Sequence, residues 1–189
     1  MPFPRQHLTI KQRLRLVFFL FLLVTTIEII NHLSGRSLNQ YGLLPRQLHS
    51  LGGILFSPLL HGSSAHYFSN IAPLILFSFL MLTHGSRRFL LVTACCLFFS
   101  GLLTWILGRS AIHIGASGLI YGYFGYLALA GILSLEIKLI LLSIAVAVFY
   151  GGLIYGLIPS EPYISWEGHL FGFLVGLACA TRWAKAEDL

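Results

Sequence analysis

Apolar residues run along this chain in blocks of about twenty, broken by short polar interruptions. These blocks recur along the whole chain. Crossing roughly 30 Å of hydrocarbon takes about 20 helical residues, and six stretches qualify. They run from about Leu14 to Leu33, Ser64 to Thr83, Arg88 to Leu107, Gly115 to Leu133, Ile137 to Leu157 and Trp166 to Trp183. The pattern predicts an all-α fold, a polytopic membrane protein built as a six-transmembrane-helix bundle. It also predicts a single domain over 1–189, with a short N-terminal tail at 1–13 and a membrane core at 14–183. No linker, low-complexity tract or convincing internal repeat interrupts it.

Composition agrees with a lipid solvent: 57% of residues are hydrophobic, 10% are charged, and the mean hydropathy is +0.84. Basic residues set the orientation. With the N-terminus in the cytoplasm, Arg5, Lys11, Arg13, Arg15, Arg87, Arg88, Lys138, Arg182 and Lys185 fall inside, and only Arg36, Arg46 and Arg109 fall outside. Both termini are therefore expected to be cytoplasmic. The net charge of +6 follows from this topology and from contact with anionic headgroups, which excludes nucleic acid as a partner. The basic N-terminus before an apolar stretch resembles a signal peptide, but no small-residue cleavage site follows, so it is read as a retained first helix. Cys95, Cys96 and Cys179 lie within spans and are read as structural thiols.

Candidate chemistry sits at helix starts. Gly115-Ala116-Ser117-Gly118 opens the fourth span and Glu167-Gly168-His169 the sixth, and in the alternating topology both helices begin on the external side. Ser117 and His169 then share a depth. A serine hydroxyl is a poor nucleophile until a base takes its proton, and imidazole suits that task near neutral pH. Close approach of the two helices is encouraged by small residues at four-residue spacing: Gly118 and Gly122 on one, Gly168, Gly172, Gly176 and Ala180 on the other. A second constellation, His61, His66 and Asn70, opens the second span. His66 and Asn70, four residues apart on one helical face, are candidate donors to a single developing oxyanion, together with the Ser117 backbone N–H. Read as metal ligands, His61, His66 and His169 lack the nearby carboxylate that zinc hydrolysis requires, so no metal and no cofactor is expected.

These pieces together resemble the rhomboid intramembrane serine proteases. The resemblance rests on His61-x4-His66-x3-Asn70, Gly115-Ala116-Ser117-Gly118, the run Gly168-His169-Leu170-Phe171-Gly172-x3-Gly176, and the six-span arrangement. It implies Ser117 as nucleophile and His169 as general base in a dyad, with His66 and Asn70 lining the oxyanion hole. It also implies that the ring of Tyr121 packs against the histidine. His61, Gly115, Gly118 and Gly172 would support the site. The substrates implied are transmembrane segments of other proteins, cut near the external face, with the fifth helix around Ala145 to Gly152 and the second helix forming a lateral gate.

The loop between the first two spans departs from the family pattern, with Gly42-Leu43-Leu44-Pro45-Arg46 where a Trp-Arg pair is expected. Its apolar stretch Leu51 to Leu60 suggests partial immersion in the outer leaflet. Glu28 is expected to pair with Arg46 or Arg36, or with loop backbone. Glu167 is expected to face water, and Ser63, Ser64, Ser69 and His113 to form a polar mouth. Two other readings compete: a non-catalytic relative that binds transmembrane helices, and a small transporter using His61, His66, His113 and His169. The second is disfavoured because the inner helix halves are almost wholly apolar. A bacterial inner membrane is the expected location; the sequence leaves the oligomeric state open.

Overall fold

The computed structural model describes residues 8–159 and 164–185. Arg5 of the basic tail lies outside the described residues. Among the described residues there are six long helices: α1 (Ile10–Leu33), α2 (Ser64–Met81), α3 (Ser86–Leu107), α4 (Ser117–Ser134), α5 (Ile137–Tyr150) and α6 (Trp166–Trp183). Five of these, α2 and α5 taken with the 3-10 turns that extend them, are long and apolar enough to cross a membrane. The sixth, α6, carries Glu167, His169 and Arg182 along 18 residues.

The helix ends differ from the expected ones for local reasons. The first helix begins at Ile10, inside the expected tail, because Thr9 and Gln12 form a reciprocal capping box. Helix α4 begins at Ser117 because Gly115 has φ +117°, a backbone region that glycine tolerates and other residues rarely adopt. Helix α5 tightens into a 3-10 segment, Gly151–Leu157. Midway along α3, Cys96–Ser100 forms a π-turn, and the Ser100 hydroxyl donates to the Cys96 carbonyl.

Helix α4 is the axle. Within the bundle, 61% of its apolar stretch is buried, against 11% for that of α5, which presents Leu141, Ile144, Val148 and Phe149 outward. The α4–α6 contact is backbone on backbone. A methyl group built on Gly172 would lie 2.1 Å from the Gly118 carbonyl oxygen, and one on Gly176 would lie 1.9 Å from that of Gly122. Without a hydrophobic drive between helices in lipid, such close packing supplies the attraction. Below the site, Phe77, Met81, Tyr123, Tyr126 and Leu127 fill the core. Helix α5 is fastened to α4 at its first half, where the Ser143 hydroxyl donates to the Leu127 carbonyl and accepts from the Gly131 N–H at 3.0 Å.

The 34–63 loop is an ordered cap. Leu43 and His113 exchange both backbone hydrogen bonds, at 3.0 and 2.8 Å. The Arg46 guanidinium donates to the carbonyls of Ile106 and Gly108 and to Ser110, so it is not the partner of Glu28. A helical turn at Gly53–Phe56 turns Leu51, Leu55 and Phe56 outward as an apolar surface, in keeping with immersion in a leaflet.

Candidate active site

Helices α2, α4 and α6 start at the same end of the bundle, which is where the polar side chains gather. The Gly118–Gly172 contact fixes how far α6 stands from α4. As a result the His169 Nε2 lies 2.9 Å from the Ser117 Oγ. The other ring nitrogen, Nδ1, lies 2.9 Å from the Gly156 carbonyl oxygen, which belongs to the 3-10 segment after α5. Tyr121, one turn below Ser117, stacks flat on the imidazole.

His66 approaches from α2. A methyl group on Gly115 would lie 2.7 Å from both Cε1 and Nε2 of the His66 ring and 3.7 Å from the Ser117 Oγ, so all three groups converge and no side chain fits at Gly115. The His66 Nδ1 accepts from the Gly62 N–H at 3.4 Å, which leaves Nε2 as the protonated nitrogen facing the serine. The Asn70 amide is directed elsewhere: its Nδ2 donates to the His66 carbonyl at 2.9 Å and to the Ser69 hydroxyl at 3.3 Å. It must release at least one of these to serve an oxyanion.

His61 does not line the site. It is fully buried behind His66, with ring centroids 5.2 Å apart in an edge-on contact. Its Nδ1 lies 3.7 Å from Glu28, whose other carboxylate oxygen takes a 2.6 Å bond from Arg36. Arg36 is thus the partner of Glu28, and the same guanidinium ties α1 to the His61 carbonyl. Burial, then the neighbouring His66 and Arg36, push the His61 pKa down to about 4, so its ring is neutral.

Two expectations are corrected. Glu167 does not face water: it is 4% exposed, accepts from the Arg109 N–H at 3.3 Å and lies 3.8 Å from the Arg109 guanidinium. A carboxylate at the first turn of α6 buried against the α3–α4 connection finds its partner there. His113 is not part of an open mouth: it is buried, with Nδ1 on the Ser165 hydroxyl and Nε2 3.2 Å from the Arg109 carbonyl. Burial lowers its pKa, while the Arg109 carbonyl acts in the opposite direction. Ser63, Ser64 and Ser69 are exposed at the start of α2, where Ser63 caps the helix by accepting from the His66 N–H.

Beside Ser117 a small cavity is lined by Ser57, Ser100, Thr104, His113 and Gly115. Among the described residues no cluster of three or more His, Cys, Asp or Glu side chains is arranged to hold a metal ion. Sequence reasoning missed Gly156, and the Arg109–Glu167 and His113–Ser165 contacts. Their partners lie more than fifty residues apart, or, for Gly156, act through a backbone carbonyl that no residue type advertises.

The Rhomboid domain model matches residues 48–185, which include every side chain of the site. The chain belongs to the rhomboid family. The rhomboid core so matched leaves α1 outside it, although Glu28 on α1 braces the loop carrying His61. Among curated proteins, uncharacterized proteins of Mycobacterium tuberculosis and Mycobacterium bovis are each 35% identical over 167 residues, covering 84% of this chain and 70% of theirs. One of Mycobacterium leprae is 34% identical over 167 residues, covering 84% of this chain and 66% of its own length.

Proposed function

We propose that this rhomboid-family membrane protein is a serine endopeptidase that cleaves transmembrane segments of other proteins. The observation that carries this reading is the 2.9 Å contact between Ser117 Oγ and His169 Nε2, made by two helices at one end of the bundle. In the reaction, Ser117 Oγ attacks a peptide carbonyl as its proton passes to His169 Nε2. The tetrahedral oxyanion accepts from His66 Nε2–H and the Ser117 backbone N–H, with Asn70 joining once its amide turns. Loss of one such donor typically costs about a hundredfold or more in rate. His169 then protonates the leaving amine, and a water molecule hydrolyses the acyl-enzyme with His169 again as base.

A helical substrate buries its carbonyls in hydrogen bonds, and each backbone group freed in hydrocarbon costs several kcal/mol. Cleavage therefore falls near the membrane surface, in segments that unwind readily. The second and fifth helices flank the entry. We place the site at the external face of a bacterial inner membrane with both termini cytoplasmic, and read the chain as one domain.

The test is reconstitution in lipid vesicles with a fluorogenic transmembrane substrate, comparing the native chain with Ser117→Ala and His169→Ala. Cleavage by the native protein, abolished in both variants, is expected. Cleavage surviving Ser117→Ala overturns the assignment; binding of transmembrane helices with no cleavage by the native chain gives the lead to a non-catalytic helix-binding role.

A further inference from the structure

We propose that the Gly156 backbone carbonyl is a positioning group for His169, holding the imidazole in the tautomer and orientation that general-base chemistry needs. This inference rests on the serine-protease reading above. A carbonyl oxygen only accepts, so the 2.9 Å contact requires His169 Nδ1 to carry the ring proton. In the neutral imidazole Nε2 is then the lone-pair nitrogen, and it is Nε2 that faces the Ser117 hydroxyl. Among the described residues the group at Nδ1 is this carbonyl and not a carboxylate, and the acid on the same helix, Glu167, is committed to Arg109.

Three elements meet at this point, each constraining the others. A methyl group on Gly156 would lie 1.9 Å from the Tyr121 hydroxyl oxygen, 3.0 Å from its Cζ and 3.5 Å from His169 Nδ1. Only glycine brings the 3-10 segment close enough for its carbonyl to reach the histidine over the edge of the stacked tyrosine. Elsewhere in the same segment space is free, since methyl groups on Gly151 and Gly152 would meet nothing within 4 Å. Glycine at 156 is therefore set by the active site. Ser143 fastens the preceding helix to α4, Tyr150 and Leu153 pack against the core, and Ile154 and Tyr155 are exposed. His169 is oriented for catalysis only when this segment is seated on the bundle.

The experiment measures the rate at which a small fluorophosphonate probe labels Ser117 in the purified full chain, with kcat and KM for a transmembrane substrate alongside. The variants are Gly156→Ala, Gly152→Ala, Tyr121→Phe, and Gly156→Ala combined with Tyr121→Phe. A displacement near 1 Å at a reacting group costs up to about a hundredfold, so Gly156→Ala is expected to slow labelling about tenfold or more. The loss should appear in kcat with KM little changed, while Gly152→Ala labels at the native rate. Removing the obstructing hydroxyl should let the double variant label faster than Gly156→Ala, toward the rate of Tyr121→Phe. That comparison also decides the matter if Gly156→Ala alone folds poorly. Native-rate labelling of Gly156→Ala, equal slowing in Gly152→Ala, or a double variant no faster than Gly156→Ala would overturn the inference. A native chain that cuts no substrate and takes no label would instead overturn the protease reading, and this inference with it.

Discussion

The rings of Tyr121 and His169 lie parallel, with centroids 4.2 Å apart and planes 8° from one another. Tyr121 comes from α4, one turn after Ser117, so the helix that presents the nucleophile also carries the surface on which the base rests. A flat stack blocks rotation of the imidazole out of the Ser117 direction.

Keeping the ring while removing the hydroxyl should preserve that constraint. Tyr121→Phe is expected to retain most activity, whereas Tyr121→Ala should lower kcat about tenfold to a hundredfold through loss of orientation. Steady-state kinetics on a transmembrane substrate separate the two variants.

The backbone contact between α4 and α6 admits no side chain. Gly172→Ala is expected to push α6 away from Gly118, destabilising the bundle by about 1–3 kcal/mol and drawing His169 away from Ser117. Gly151→Ala, at an open position, should leave both properties near native. Thermal unfolding in detergent together with a cleavage assay reads the difference.

Glu167 fastens the first turn of α6 to the α3–α4 connection through Arg109. Glu167→Gln can still accept from the Arg109 N–H but loses the ionic attraction, so it should destabilise less than Glu167→Ala. Arg109 is about one-third exposed, which screens the pair, and the loss for Glu167→Ala is expected at about 1–2 kcal/mol, below that of a fully buried ion pair. Melting temperatures of the two variants against native measure it.

His61 supplies a pH dependence whose sign is fixed by its burial. Its pKa falls from 6.5 to about 4 in the fold, so between those values the unfolded chain binds more protons than the folded one. Stability contributed by the neutral ring is fully present above pH 6.5 and is lost progressively as pH falls toward 4. Arg36 and His66 add to the burial in disfavouring the imidazolium, and the Glu28 carboxylate 3.7 Å away, which favours it, does not reverse the net fall. His61→Gln is expected to flatten the acid limb of a plot of melting temperature against pH; an unchanged slope would assign that limb to His113 or other groups.

How far the sequence reached can be judged from particular residues. The six helices were legible because hydrocarbon thickness imposes a length and apolarity that few soluble segments share. Helix α6 was found at its observed limits, Trp166–Trp183, although it is less apolar than the other five spans, because an apolar run still fills the space between its polar ends. The start of α1 was placed four residues late, since a capping box acts over a single turn and leaves hydropathy unchanged. Glu28 was offered both arginines of the loop, and only the path of the backbone through the left-handed residues Gly35 and Arg36 chose between them. Glu167 was misplaced because an acid at a helix start reads as solvated until a neighbouring loop covers it.

Residue types and spacings determined the solvent of this protein, the number of its helices, the rhomboid resemblance and the side chains nominated for its chemistry. The tertiary structure decided what lies within hydrogen-bonding reach of what: the 2.9 Å from His169 to Ser117, the Gly156 carbonyl on the other side of the ring, and the burial of Glu167 and His113. The division has a physical cause. Hydrophobic periodicity is written locally, in one helix at a time, whereas a hydrogen bond depends on ångström-scale distances between segments, set here where the backbones of α4 and α6 meet at Gly118 and Gly172.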